Sequence, residues 1–409
     1  MTDIPSSKAL MSPVAAAPDV ATGDRSRRPR AAIRTAQLRE YGLVFALAVI
    51  TLFFEYTTGG VLFQPLNLSN LIMQNSYVVV MALGMLLVIV AGHIDLSVGS
   101  LVAFVGALAA LLMVRFGFDP ISASLVCLMV GAGIGGLQGY FVAYLAIPSF
   151  IVTLAGMLVL RGQTQALLQG TSIGPFPEAF QLLSKGYLAN VAGSSTSLLI
   201  ALVLVTALVG LNWRRRTAQI RYGSPADSPA AFIVRNGVAA ILILAFAYQM
   251  SVYRGLPNVL LVLFVLVMLY GFVTTRTTIG RRIYALGGNI KAARLSGIKT
   301  ERLTFLTFAN MGALAGLGGL IFVARLNTAN PKAGVGFELD VIAACFIGGA
   351  SAAGGIGKVS GVVIGAFIIG IMNNGMSMMG IGVDWQQVIK GIVLLAAVCL
   401  DVHNKNNRL

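Results

Sequence analysis

Residues 70–92 have the sequence NLIMQNSYVVVMALGMLLVIVAG, which contains no acidic or basic side chain. A helix of about 20 apolar residues has the length of the hydrocarbon core of a bilayer, and it satisfies its own backbone polar groups. Comparable apolar runs recur at about 41–60, 97–115, 121–146, 149–169, 196–213, 231–251, 257–275, 303–325, 338–353, 359–380 and 385–401. The sequence therefore predicts an all-α, polytopic transmembrane helical bundle with about 10–12 spans.

The composition excludes a large soluble domain. The 409 residues are 57% hydrophobic and 11% charged, whereas a soluble domain carries about 25% charged residues. The net charge of +15 does not indicate nucleic-acid binding, because the cations are concentrated in short segments between apolar runs and no RNA-type motif accompanies them. This distribution is the one that sets the orientation of membrane proteins.

The charge distribution predicts that both ends of the chain face the cytoplasm. Basic clusters lie in residues 1–40, after the run 196–213, in residues 276–302 and near the C-terminus. An N-in, C-in arrangement places all of them inside, as the positive-inside rule requires. We therefore predict a multi-pass membrane protein, with a flexible basic cytoplasmic tail over 1–40, a transmembrane domain over 41–403 and a second tail over 404–409.

Glycine spacing indicates close helix packing. Pairs at i and i+4 recur at Gly131/Gly135 and Gly312/Gly316. Hydrophobic burial gives little drive to helix association in lipid, so small residues that allow backbones to approach supply the packing. The short, glycine-bearing segments 97–115 and 338–353 are also candidates for broken or re-entrant elements, which are tolerated beside protein or water.

Motifs that resemble catalytic ones have the wrong context. Gly131-x-Gly133-x-x-Gly136 matches a dinucleotide fingerprint, but it lies within an apolar run with no preceding strand. Gly357-Lys358 is followed by Val359, so a phosphate-binding loop is absent. The three cysteines show no CxxC spacing, which gives no basis for a metal site. The sequence therefore predicts no enzyme activity, no catalytic residue and no metal in this chain.

Four segments resemble the sugar branch of the ABC importer permeases. They are AGHIDLSVGS at 91–100, PSFIVTLAGMLVLRG at 148–162, GRRIYALGGNIKAARLSGI at 280–298 and ELDVIAACFIGGASAAGGIGKVSGVVIGAFIIGIMNNGMS at 338–377. The resemblance covers residues 41–403 and is greatest to the xylose-type and multiple-monosaccharide permeases, which also resemble this chain in an arginine-rich segment with an extra hairpin, here 212–257. Enteric xylose permeases usually have Glu at the position of His93, so the resemblance leaves the sugar open.

The resemblance implies a transport complex in the bacterial inner membrane. The chain would translocate a monosaccharide, such as D-xylose or a related pentose or hexose, with a cytoplasmic ABC ATPase subunit, a periplasmic sugar-binding protein and a second permease copy as partners. ATP and Mg²⁺ would bind in the ATPase, with no cofactor in this chain. The alternative is a stand-alone secondary sugar transporter, which would need intramembrane ionisable residues to carry a coupling ion.

The segment 276–302 is the predicted site of coupling to the ATPase. Asn289 is a suitable N-cap and Gly297 a suitable stop for a short helix over 290–295. The resemblance implies that this loop transmits the motion of the ATPase. The predicted coupling residues are Gly287, Gly288, Asn289, Ala292, Ala293 and Gly297.

A second candidate site is a gate on the translocation path. A carboxylate beside apolar runs requires a partner, water or a helix terminus. We expect Asp95 and Ser97 to cap the helix that begins near 97, or, together with His93, to form part of a cytoplasmic gate. Asn373 and Asn374, within an apolar run, are further candidates, with interhelical hydrogen bonds as the alternative role. A weak internal repeat relates AGHI at 91–94 to AGGI at 353–356.

Overall fold

The computed structural model describes the backbone of residues 28–188, 195–223 and 228–406, and the side chains of residues 42–399 within those ranges. Its helices are α1 (Arg28–Thr57), α2 (Pro65–Val90), α3 (Val98–Ala110, continued by a π-helical turn at Leu111–Arg115), α4 (Pro120–Ala143), α5 (Ser149–Leu168), α6 (Glu178–Lys185), α7 (Thr196–Arg221), α8 (Pro229–Tyr253), α9 (Asn258–Arg276), α10 (Thr278–Gly288), α11 (Ile290–Leu295), α12 (Thr300–Leu326), α13 (Phe337–Ile347), α14 (Val359–Met378) and α15 (Val383–Asn406). The predicted all-α, polytopic class is confirmed.

Nine of the described helices are long and apolar enough to cross a membrane. Three predicted segments fall outside this set. The apolar part of α1, Gly42–Thr57, is a shorter apolar helix. The segment 338–353 contains the 11-residue α13, which is only about 16 Å long, and it is therefore a broken element. The third segment, 385–401, lies within α15. The segment 97–115, the other candidate for a broken element, is long enough to span the membrane.

The predicted terminal tails overlap helical backbone. Helix α1 begins at Arg28, inside the predicted tail 1–40, and the rest of that tail lies outside the described residues. The chain divides into compact units after Gly42. Helix α15 continues to Asn406, and residues 407–409 lie outside the described part.

The core of the bundle is built around α2. Every residue from Val78 to Val90 is buried, as expected for a helix that is apolar on all sides. The neighbours of α2 include α9, α12, α13 and α14. By contrast, α7 and α8 pack mainly against each other and expose most of their apolar surface.

Helices α4 and α12 cross through glycine. A Cβ built at Gly135 would overlap the carbonyl oxygen of Phe308 and lie 2.9 Å from the Cα of Gly312. At Gly131 it would lie 2.7 Å from the Gly312 carbonyl oxygen. We call Gly131, Gly135 and Gly312 the glycine crossing. The small-residue spacing predicted this packing correctly.

Candidate functional site

Helices α10 and α11 form a short hairpin in the segment predicted to contact an ATPase. The Asn289 side chain accepts a hydrogen bond from the Ala292 backbone N–H at 3.0 Å and so caps α11. After α11, Gly297 has φ +78°, a left-handed conformation that glycine adopts without steric cost. The predicted helix and its two end signals are confirmed, but Gly287 and Gly288 end α10 rather than lying in a loop.

The exposed face of the hairpin is not centred on Ala293. Ala293 is 4% exposed, whereas Leu295 is 90% and Ile290 51% exposed. A bulky acidic residue at 293 would therefore disrupt the packing of α11 before it altered any contact with a partner. Ala292 is exposed, as are the cations Arg281, Arg282, Lys291 and Arg294. The surface available to another protein therefore contains two apolar side chains, Leu295 and Ile290, together with these exposed cations.

The C-terminal end of α10 packs against two other segments through glycine. A Cβ at Gly287 would overlap the Val90 carbonyl oxygen at the end of α2 and lie 2.7 Å from the Gly355 backbone nitrogen. The same Val90 oxygen accepts a hydrogen bond from the Gly355 N–H at 2.8 Å. A Cβ at Gly354 would lie 2.9 Å from the Gly287 oxygen and 3.2 Å from the Gly92 Cα. We call Gly92, Gly287, Gly354 and Gly355 the glycine junction.

The junction also brings the two halves of the weak internal repeat together. Gly92 belongs to the AGHI segment, and Gly354 and Gly355 belong to AGGI. Residues 348–358 connect α13 to α14, so the second segment lies at the end of the broken element. The hydroxyl of Tyr284, on α10, donates to the Gly357 carbonyl oxygen in this connection at 2.7 Å. Sequence reasoning missed Tyr284, because nothing in its local pattern indicates a partner more than seventy positions away.

Asp95 fixes the turn that precedes α3. Its Oδ1 accepts hydrogen bonds from the Ser97 backbone N–H at 2.8 Å and from the Ser97 hydroxyl at 2.7 Å. The expected capping role is thus corrected in detail. Ser97 occupies the N-cap position, its side chain makes no capping hydrogen bond, and Asp95 holds Ser97 itself rather than the first turn of α3. The carboxylate is satisfied by two donors although it is buried.

Ser97 connects this turn to α4 and α5. The Gln138 amide on α4 donates to the Ser97 hydroxyl at 3.0 Å. A Cβ at Gly156 on α5 would overlap the Gln138 amide nitrogen and lie 3.7 Å from the Ser97 Cβ. Gln138 is a polar residue within an apolar run, a pattern that is typical of a hydrogen bond between helices.

His93 lies beside the same turn without a hydrogen bond to Asp95. Its ring centroid is 5.7 Å from that of Phe308 on α12. Burial lowers the pKa of the imidazole and raises the pKa of the Asp95 carboxyl, which the hydrogen bonds from Ser97 oppose. These shifts both favour neutral forms, so they give no support to an ion pair between His93 and Asp95.

Asn373 and Asn374 make interhelical contacts elsewhere in the bundle. Asn373 Nδ2 donates to Asp340 Oδ2 at 3.2 Å, and the other oxygen of Asp340 lies 2.9 Å from Lys390 Nζ. This cluster joins α13, α14 and α15. Asn374 exchanges amide hydrogen bonds of 3.1 and 3.2 Å with Asn67 on α2. Their hydrogen bonds are therefore of the interhelical kind, and a role on a translocation path stays a prediction.

Comparison with known proteins places the chain in a family. A family profile described as "Branched-chain amino acid transport system / permease component" matches residues 67–398. The chain belongs to this family of transport permeases, and it is a multi-pass protein of the inner membrane. No solved structure matches it significantly.

Its curated relatives include two kinds of sugar permease. The chain is 40% identical over 373 residues to the xylose transport system permease protein XylH of Escherichia coli K12, covering 91% of this chain and 94% of that one. The Haemophilus influenzae XylH is 41% identical, with 91% and 98% covered. The E. coli K12 ribose import permease RbsC is 36% identical over 335 residues, covering 82% and 85%. The family resemblance that the four sequence segments indicated is confirmed.

Proposed function

We propose that this chain is the membrane-spanning subunit of a binding-protein-dependent ABC importer for a monosaccharide, with D-xylose as the first candidate. The similarity to XylH over nearly the whole of both chains supports the sugar class. The similarity to RbsC keeps ribose and related sugars as alternatives. The permease family is not a catalytic one, and the sequence contains no phosphate-binding loop, so ATP and Mg²⁺ would bind in a separate ATPase.

The observation that carries this proposal is the exposed α10–α11 hairpin. Among the side chains that the structure describes, Leu295 is the most exposed large apolar one at 90%, in a short helix with satisfied caps. Arginine is enriched at protein–protein interfaces, and the exposed Arg294 precedes this leucine in α11. We propose that this face binds the cytoplasmic ATPase, which requires the hairpin to face the cytoplasm in an N-in, C-in arrangement. The complex would further contain a periplasmic sugar-binding protein and a second copy of this permease.

Reconstitution tests the proposal. Proteoliposomes containing the permease and its ATPase should accumulate radiolabelled xylose only when the sugar-binding protein is added outside and ATP is enclosed within the vesicles. Ribose, glucose and galactose serve as competitors that identify the sugar. Accumulation by the permease alone, driven by an ion gradient, would instead establish the stand-alone secondary transporter.

A matched pair of leucine substitutions tests the hairpin. Leu295→Asp should abolish co-purification of the ATPase and lower uptake, because it replaces an exposed apolar contact by a charge. Leu182→Asp, on α6, is the control, because Leu182 is also exposed, at 57%, on a short helix in a different segment. Equal co-purification of the ATPase with both variants would contradict a contact at Leu295.

A further inference from the structure

The hairpin is attached to the connection between α13 and α14 by two kinds of contact. The first is the backbone packing of Gly287 against Gly354 and Gly355. The second is the hydrogen bond from the Tyr284 hydroxyl to the Gly357 carbonyl oxygen at 2.7 Å. The backbone contact limits how closely the two segments approach, and the hydrogen bond adds a directional attraction that resists their separation. Tyr284 therefore allows the hairpin to pull the connection as well as push it.

The connection between α13 and α14 is built so that a side chain from outside can hold it. Gly354, Gly355 and Gly357 have no side chains of their own, and Gly357 is buried. A Cβ at Gly357 would lie 2.6 Å from Leu86 Cδ1 on α2, so the residue whose carbonyl accepts the hydrogen bond from Tyr284 is closely packed in place. A displacement of Tyr284 is thus passed to the backbone of this segment rather than absorbed by a flexible side chain.

Movement of this segment would reach charged groups within the bundle. The segment follows α13 directly, and α13 carries Asp340, which is paired with Lys390 on α15 and with Asn373 on α14. Glu338, on the first turn of α13, packs against Gly99 of α3. Helix α13 has only 11 residues, is buried mainly through apolar side chains and is joined to α14 and α15 through Asp340, and a short packed helix of this kind can shift as a rigid body between two arrangements.

We propose that Tyr284 is a positioning residue that ties the α10–α11 hairpin to α13, so that the ATPase moves α13 through this hydrogen bond. This inference rests on the proposed function, because it takes the hairpin as the ATPase contact. It goes beyond that function because it identifies α13 as the element that moves and the Tyr284 hydroxyl as the group that transmits the movement. Loss of the hydroxyl should leave the ATPase bound and active but impair its coupling to transport.

Tyr284→Phe tests the proposal, with Tyr270→Phe as the matched control. Tyr270, on α9, also donates its hydroxyl to another helix, at Asn310 of α12, away from the hairpin. In proteoliposomes, Tyr284→Phe should hydrolyse ATP at a rate close to that of the wild type. The sugar moved per ATP should fall about fivefold, which is the equilibrium effect of losing one net hydrogen bond of ~1 kcal/mol. Tyr270→Phe should keep the wild-type ratio.

Hydrogen exchange in the isolated permease provides a readout that does not depend on transport. Tyr284→Phe should accelerate amide exchange in residues 348–358, and Tyr270→Phe should not. An unchanged ratio of sugar to ATP in Tyr284→Phe overturns the proposal, whatever the exchange shows. If the wild-type complex fails to couple ATP hydrolysis to uptake, the proposed function fails. In that case, unchanged amide exchange in Tyr284→Phe overturns the proposed connection between the hairpin and α13, independently of transport.

Discussion

The glycine crossing and the glycine junction use the same residue for different purposes. At the crossing, Gly131, Gly135 and Gly312 bring two long helices into backbone contact along their length. At the junction, glycine joins the ends of elements: the last turn of α10, the end of α2 and the connection after α13. A continuous helix pair shares its packing over many turns, whereas the junction depends on a few contacts. We infer that the crossing determines whether the bundle folds, and the junction determines how its parts move together.

The largest expected effect is at the crossing. Gly135→Leu should greatly reduce the folded yield, because its side chain would require α4 and α12 to separate from a backbone contact, at a cost of about 3 kcal/mol or more. Gly133→Leu is the control in the same helix, since a Cβ there meets nothing within 4 Å. Fluorescence-detected size-exclusion chromatography and thermal unfolding in detergent would measure both variants. Similar melting temperatures for the two would contradict the assignment of the crossing as a folding contact.

The next effect is at the junction. Gly287→Ala should give folded protein in the membrane with little uptake, because the added methyl overlaps the Val90 oxygen and forces α10 away from α2. Gly288→Ala is the neighbouring control, with nothing within 4 Å of its Cβ. Uptake and ATP hydrolysis in proteoliposomes provide the measurement. The distinction between crossing and junction breaks down if Gly287→Ala fails to fold, or if it transports as well as Gly288→Ala.

A smaller effect is expected beside the junction, at Asp95. Asp95→Asn should fold and transport close to normally, because an amide oxygen can still accept the two hydrogen bonds from Ser97. Asp95→Ala leaves the Ser97 donors without that acceptor and should lower stability by about 1–2 kcal/mol. Thermal unfolding and uptake would be measured for both variants. Normal folding of Asp95→Asn with little uptake would instead show that the charge acts in gating.

The smallest effect on folding is expected from cysteine substitutions that report on which side of the membrane the glycine junction lies. Single cysteines at Lys291 and Lys185, in a background without Cys127, Cys345 and Cys399, should leave folding unchanged because both lysines are exposed. The charge pattern predicts that an impermeant thiol reagent labels position 185 in intact cells and position 291 only after the cells are opened. Labelling of position 291 in intact cells would reverse the orientation and exclude a cytoplasmic ATPase at the hairpin.

Local features of the site were predictable because their causes are local. The cap at Asn289 and the stop at Gly297 depend on residues within one or two turns, and both are present. The burial of Ala293 and the contact between Tyr284 and Gly357 depend on segments far along the chain. The helix was therefore predicted correctly, whereas the burial of Ala293, one of the predicted coupling residues, could not be inferred from the local sequence.

The sequence by itself determined the membrane class, the helices, their close packing through glycine and the permease family. Each follows from apolar length, glycine spacing or motifs that are read along the chain. Only the tertiary structure decided that α13 is a short broken element, that the AGHI and AGGI segments meet, and that Gly287 lies between them. The physical reason is that apolar length places a segment in the membrane, whereas its partner there is chosen by the close fit of backbones from distant parts of the chain.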